Sequence, residues 1–93
     1  MVRYQTIYGI TVEEYNKLLI SQGGLCCICY RPPRKRRLAV DHNHRTGQVR
    51  GLLCANCNRG LRWFYDDPVK LRKAAEYLDT VDIRIVNALN LKT

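Results

Sequence analysis

The stretch VDHNHRTGQVRGLLCANCN, from Val40 to Asn58, brings two histidines, one aspartate and a Cys-x-x-Cys pair into nineteen residues. Two readings compete for it. Either Asp41, His42, His44 and Asn58 are further ligands of a metal that Cys54 and Cys57 bind, or they are separate machinery that the metal holds in place. The fold and the chemistry both turn on that choice.

Local patterns organise the stretch. Leu38 to His42 has strand character, and Gln48 to Leu53 reads as its partner. Between them Asn43 to Gly47 is rich in turn formers, which predicts a short hairpin. Cys54-Ala55-Asn56-Cys57 opens a third piece, predicted as a helix through Leu61, Trp63 and Phe64. On a regular strand Asp41 and His42 point to opposite faces.

Upstream stands a second pair, Cys26 and Cys29 in Cys26-Cys27-Ile28-Cys29. Two Cys-x-x-Cys pairs supply four thiolates, the ligand set of tetrahedral structural zinc. The 24 residues between the pairs exceed the usual ribbon spacing, so the intervening chain must carry structure of its own; the hairpin supplies it. A redox role would need a thioredoxin-like βαβ pattern, which is missing, and disulfides would need an oxidising compartment. Both pairs are complete without Cys27, which reads as a free or packed thiol.

Four cysteines close a structural zinc site, and this argues against His42 and His44 as ligands in a mixed site. A second site for a hard cation is the alternative. A carboxylate and an amide oxygen suit Mg²⁺, which keeps several waters and takes further ligands from phosphate. Asn58 is the natural partner of Asp41, because it directly follows Cys57 and the zinc would fix its helix relative to the hairpin. A neutral imidazole beside such a centre suits proton abstraction from water near neutral pH. Water, base, cation and phosphate together define phosphodiester hydrolysis.

Outward from this stretch, Thr11-Val12-Glu13-Glu14 has the form of a capping box. Val12, Tyr15, Leu18 and Leu19 follow at helical spacing, and Gly23-Gly24 ends the run, so a first helix is expected over about residues 11–22. The prolines of Arg31-Pro32-Pro33-Arg34-Lys35-Arg36-Arg37 exclude regular structure and make a loop. Asp67-Pro68 is an N-cap and N1 pair for a helix over 67–79, whose Leu71, Ala74, Ala75 and Leu78 form an apolar stripe expected to pack into a core. The tail from Val81 to Thr93 has mixed periodicity and is only weakly helical.

Ninety-three residues make one domain, 1–93, and a chain this short has a marginal apolar core. Zinc binding on the order of 10 kcal/mol would make up the difference. The longest apolar runs are far short of a membrane span, and MVRYQTIYGI lacks the apolar stretch of a secretory signal. A cytoplasmic protein with no membrane partner is therefore expected. The net charge of +8 is concentrated in the middle: between Tyr15 and Tyr65 ten basic residues face one acid, Asp41. Such a surface favours a polyanion, nucleic acid above all, with Arg34, Lys35, Arg36, Arg37, Arg45 and Arg50 as the expected DNA contacts. A lone acid in that setting would weaken a pure phosphate binder, whereas a cation ligand gives it a purpose.

Asp41-His42-x-His44, the return Thr46-Gly47-x-Val49-Arg50-Gly51-Leu52 and Cys54-x-x-Cys57-Asn58 resemble the phage recombination endonuclease VII family, within the His-Me finger (HNH-like) nucleases. Tyr8-Gly9-Ile10-Thr11, Gln22-Gly23-Gly24-x-Cys26, Asn58-x-Gly60-Leu61 and Asp67-Pro68 extend the resemblance over most of the chain. It implies a small α+β fold: a zinc-stapled ββα-metal finger over 26–64, flanked by helices. It further implies that His42 is the general base and that Asp41 and Asn58 hold a catalytic Mg²⁺ or Mn²⁺. His44 would orient or contact the phosphate, and Cys26, Cys29, Cys54 and Cys57 would hold one structural zinc. The products would be 5′-phosphate and 3′-hydroxyl ends, and a phage-encoded enzyme would act in the host cytoplasm. Family members resolve branched DNA such as four-way junctions as intertwined dimers. A chain ending at Thr93 is shorter than the extended resolvase form, which leaves branched against duplex DNA, and the homodimer, open. A zinc-stabilised DNA-binding module that cuts nothing is the competing reading.

Overall fold

The capping box and the hairpin are both present. In the computed structural model, which describes residues 6–7 and 9–90, the chain is a small α+β protein. Its order is β1 (Thr6–Ile7), β2 (Ile10–Thr11), α1 (Val12–Ser21), β3 (Ala39–His42), β4 (Val49–Leu53), α2 (Ala55–Trp63), α3 (Pro68–Asp79) and α4 (Ile83–Leu89). Tyr8 of the expected lead-in, and residues 91–93 of the tail, lie outside the described residues. The chain divides into two compact units, Met1–Gly60 and Leu61–Thr93.

In the first unit β1 and β2 pair antiparallel around Gly9, whose φ of +89° suits glycine. Thr11 then starts α1: its hydroxyl accepts from the Glu14 N–H at 3.0 Å, and its own N–H donates to Glu14 Oε1 at 2.9 Å. These bonds hold the Glu14 carboxyl below its ordinary value, the backbone bond from Thr11 most of all. Buried Tyr15 donates its hydroxyl to the carbonyl of Leu38, which ties α1 to the entry of β3. Burial raises the Tyr15 phenol, against the opposing charge of Arg37.

β3 and β4 form the expected hairpin, each strand starting one residue later than the sequence suggests. Ala39, Val40 and Asp41 face Leu53, Leu52 and Gly51. A regular ladder would next place His42 opposite Arg50, but His42 pairs with Val49, so Arg50 is the extra residue of a β-bulge. The extra residue lies on β4, so the step that breaks is the alternation of Arg50 and its neighbours, not that of Asp41 and His42 on β3. Leu38, Val40, Leu52 and Leu53 are buried with Ile10, Tyr15 and Cys26, and this cluster forms the core of the unit.

Residues 43–48 close the hairpin tightly. Asn43 Oδ1 accepts from the N–H groups of Arg45 (2.9 Å) and Thr46 (3.2 Å), while its backbone bonds with Gly47 and Gln48. A side chain that imitates a backbone acceptor is what makes Asn a turn former.

In the second unit Asp67 caps α3, accepting from the Val69 N–H at 2.9 Å, with Pro68 at the first helical position. Asp82 caps α4 in the same way through Arg84. The weakly helical tail is thus a helix from Ile83 to Leu89. The apolar stripe of α3 departs from expectation. Leu71 and Ala74 are half-buried, but Ala75 is exposed and Leu78 is 82% exposed. The only buried residue of α4 is Val86, so this short helix contributes little core for the second half of the stripe to join. Among the described residues no helix is long and apolar enough to cross a membrane.

Candidate metal centre and the Asp41–His42 hairpin

The four paired cysteines converge. Their sulfur atoms all lie within 4.8 Å of one another, and Cys29 Sγ is 3.8 Å from Cys54 Sγ. Four thiolates bound at about 2.3 Å to one tetrahedral ion stand about 3.8 Å apart, so the spacing suits a single metal. Cys26 is fully buried and the other three are half-buried.

Local backbone geometry builds each half of the cluster. Tyr30, in the left-handed region at φ +59°, folds the chain back after Cys29. Its N–H bonds to the Cys26 carbonyl at 3.0 Å, while the Cys26 N–H donates to the Arg31 carbonyl at 2.9 Å. In the other half Cys54 sits at the start of α2, and its sulfur accepts from the Cys57 N–H at 3.4 Å. A helix start favours negative charge on such a sulfur.

The thiols do not ionise alike. Burial opposes charge on Cys26, but backbone N–H groups of Cys29, Cys54 and Ile28, with the Cys29 thiol, outweigh it and bring Cys26 down to about 6. Cys57 moves the other way, pushed well up by burial, by hydrogen bonds among the neighbouring thiols and by the charge of Cys26. A divalent cation removes that conflict, because it stabilises all four thiolates together. The four cysteines are positioned to hold a metal ion, and the soft donor set is consistent with structural zinc. Cys27 stays outside the cluster and is exposed.

The hairpin beside this cluster carries the remaining candidates. Asp41 on β3 is buried, at 6% exposure. Both of its oxygens are held by one guanidinium: Arg50 Nε donates to Oδ2 at 2.7 Å and Nη2 to Oδ1 at 3.0 Å. The basic pattern of the sequence places Arg50 among the DNA contacts, and Asn58 is paired with Asp41 because it follows Cys57; a regular register would put Arg50 on the face opposite Asp41. The bulge is what brings the two together, and bulges leave little trace in sequence.

His42 ends β3, half-buried, with its Nε2 3.9 Å from where a side chain on Gly9 would begin. The β1–β2 turn thus lies against the imidazole. His44 and Arg45 are exposed in the Asn43-braced turn. Asn58 is half-buried in the first turns of α2, its N–H bonded to the Cys54 carbonyl at 2.9 Å. The loop residues Arg34, Lys35 and Arg36 line a cleft of about 620 Å³ together with Cys29, Cys54 and Cys57. Arg37 is exposed beside it.

Gln22, which the sequence offers only as part of the Gln22-Gly23-Gly24-x-Cys26 resemblance, has a structural role. Its side chain reaches across to β4, accepting from the Leu52 N–H at 2.8 Å and donating to the Leu52 carbonyl at 3.0 Å. A Cβ on Gly51 would stand 3.4 Å from Gln22 Oε1, in van der Waals contact with the clamp.

The family model described as recombination endonuclease VII matches residues 1–80. The chain is 51% identical over 78 residues to the Gene 59 protein of Mycobacterium phage D29, an alignment covering 82% of this chain and 47% of the relative. For the Gene 59 protein of Mycobacterium phage L5 the identity is 49% over 78 residues, covering 82% and 48%. The chain spans about half the length of these curated relatives.

Proposed function

Because the chain belongs to the recombination endonuclease VII family, we propose that it is a metal-dependent DNA endonuclease that hydrolyses phosphodiester bonds. The observation that carries this reading is the family match over residues 1–80, which includes every residue given a role below. The β3–β4–α2 succession is read as a ββα-metal, or His-Me, finger. One structural zinc on Cys26, Cys29, Cys54 and Cys57 braces the start of α2 against the hairpin.

Asp41 and Asn58 fit a hard divalent cation by donor chemistry, since carboxylate and amide oxygens suit Mg²⁺ or Mn²⁺. When bound, such an ion stabilises charge on the scissile phosphate and the leaving oxygen. His42 takes a proton from the attacking water. The new P–O bond forms as the P–O3′ bond breaks, and the departing 3′ oxygen takes a proton from solvent water, leaving 5′-phosphate and 3′-hydroxyl ends. His44 and Arg45, on the rigid turn, contact the phosphate. Arg34, Lys35, Arg36 and Arg37 add backbone affinity. Branched or duplex DNA is the substrate, a homodimer would deliver paired cuts, and a phage-encoded enzyme would act in the host cytoplasm.

One observation favours a second reading, a zinc-stapled DNA-binding module that cuts nothing. Arg50 neutralises Asp41, so a lone acid in a basic region no longer needs a catalytic purpose. The deciding experiment incubates zinc-loaded protein with supercoiled plasmid in Mg²⁺, in Mn²⁺ and in chelator. Nicks sealable by DNA ligase, dependent on the divalent ion, support the nuclease. Binding without nicking of plasmid, duplex or four-way junction in either metal establishes the module instead.

A further inference from the structure

The bulge that moves Arg50 onto the face of Asp41 has a chemical consequence. Both oxygens of the buried Asp41 carboxylate accept from Arg50, so an ion that approaches from the same side must compete with the guanidinium. Yet the Arg50 side chain as a whole is 35% exposed while it holds Asp41. Its planar fork matches a phosphate as well as it matches a carboxylate.

We infer that Arg50 is an exchangeable counter-ion of Asp41, a positioning residue that couples cation binding to phosphate binding. The inference rests on the proposed role of Asp41 as cation ligand and adds a competitor for it. Without DNA, Arg50 holds the carboxylate and the divalent ion binds weakly. When DNA arrives, a backbone phosphate takes the guanidinium, and Asp41 is released to the ion. The coupling is reciprocal, so the ion also strengthens phosphate binding. The bulge is what aims Arg50 at Asp41, in the way bulges re-aim side chains beside active sites.

The test measures Mn²⁺ affinity by electron paramagnetic resonance in the zinc-loaded full chain, with no DNA present. Arg50→Gln is expected to bind Mn²⁺ about ten- to a hundredfold more tightly than wild type, the range set by losing a charge-assisted pair. Asp41→Asn should lose the ion, which locates it. Equal or weaker binding by Arg50→Gln, with zinc content and circular dichroism unchanged, overturns the role of Arg50 and leaves the cation reading standing. Absence of Mn²⁺ binding from both wild type and Arg50→Gln overturns the cation reading itself. Should Arg50→Gln fail to fold, the wild type decides. Its Arg50 Nε–H resonance should shift saturably with Mg²⁺, and a resonance unmoved while Mg²⁺ binds overturns the exchange.

Discussion

Gln22 pairs with Leu52 as a neighbouring strand would, its amide oxygen accepting at 2.8 Å and its amide nitrogen donating at 3.0 Å. The same nitrogen also donates to the Leu25 carbonyl at 2.8 Å. One side chain thus joins the end of α1, the approach to Cys26 and the edge of β4 away from β3, where the Cys27 N–H also donates to the Leu52 carbonyl at 3.1 Å. Gln22→Ala leaves the fully buried Leu52 with an unpaired N–H. The expected cost is about 1–3 kcal/mol, read as a lower urea midpoint at unchanged slope. A loss below about 0.5 kcal/mol, the scale of an ordinary surface substitution, would show that water replaces the clamp.

The sulfur cluster predicts one zinc per chain, measurable by elemental analysis. Replacing His42 and His44 together by alanine should leave that stoichiometry at one, since neither belongs to the four sulfurs within reach of a single ion. Cys54→Ser should lose zinc and much of the thermal stability, because structural zinc contributes on the order of 10 kcal/mol in small domains. A double histidine variant that no longer holds zinc would instead establish a mixed-ligand site.

Arg34, Lys35, Arg36 and Arg37 are exposed on a loop with no acid among them. Neutralising all four to glutamine should flatten the dependence of DNA affinity on salt. Each phosphate that no longer meets a cationic side chain takes about 0.9 off the slope of log K against log salt on duplex DNA. An unchanged slope would place the DNA path elsewhere on the molecule.

The part of the structure legible in the sequence is the part written locally. Thr11 and Glu14, Asp67 and Pro68, and the Asn43 turn each act within three or four residues, so their side-chain types announce the geometry. The cysteines act over a longer span but carry their meaning in spacing and chemistry, and the four sulfurs meet as expected. The Arg50–Asp41 pair is not legible, because it depends on a one-residue slip that reverses which face Arg50 occupies. The Gln22 clamp spans 30 residues, and glutamine at a helix end has no fixed partner type. The stripe on α3 misleads for another reason: apolar spacing marks a face, while burial depends on what the fold sets against it.

The central claim is that His42 is the base of a DNA-cutting site, and the most direct measurement is the nicking rate of His42→Ala on supercoiled plasmid with Mg²⁺. A general base contributes about a hundred- to ten-thousandfold. His42→Ala is expected to lose at least about a hundredfold, with one zinc per chain retained and DNA binding intact. His42→Ala nicking within a few-fold of wild type would contradict it.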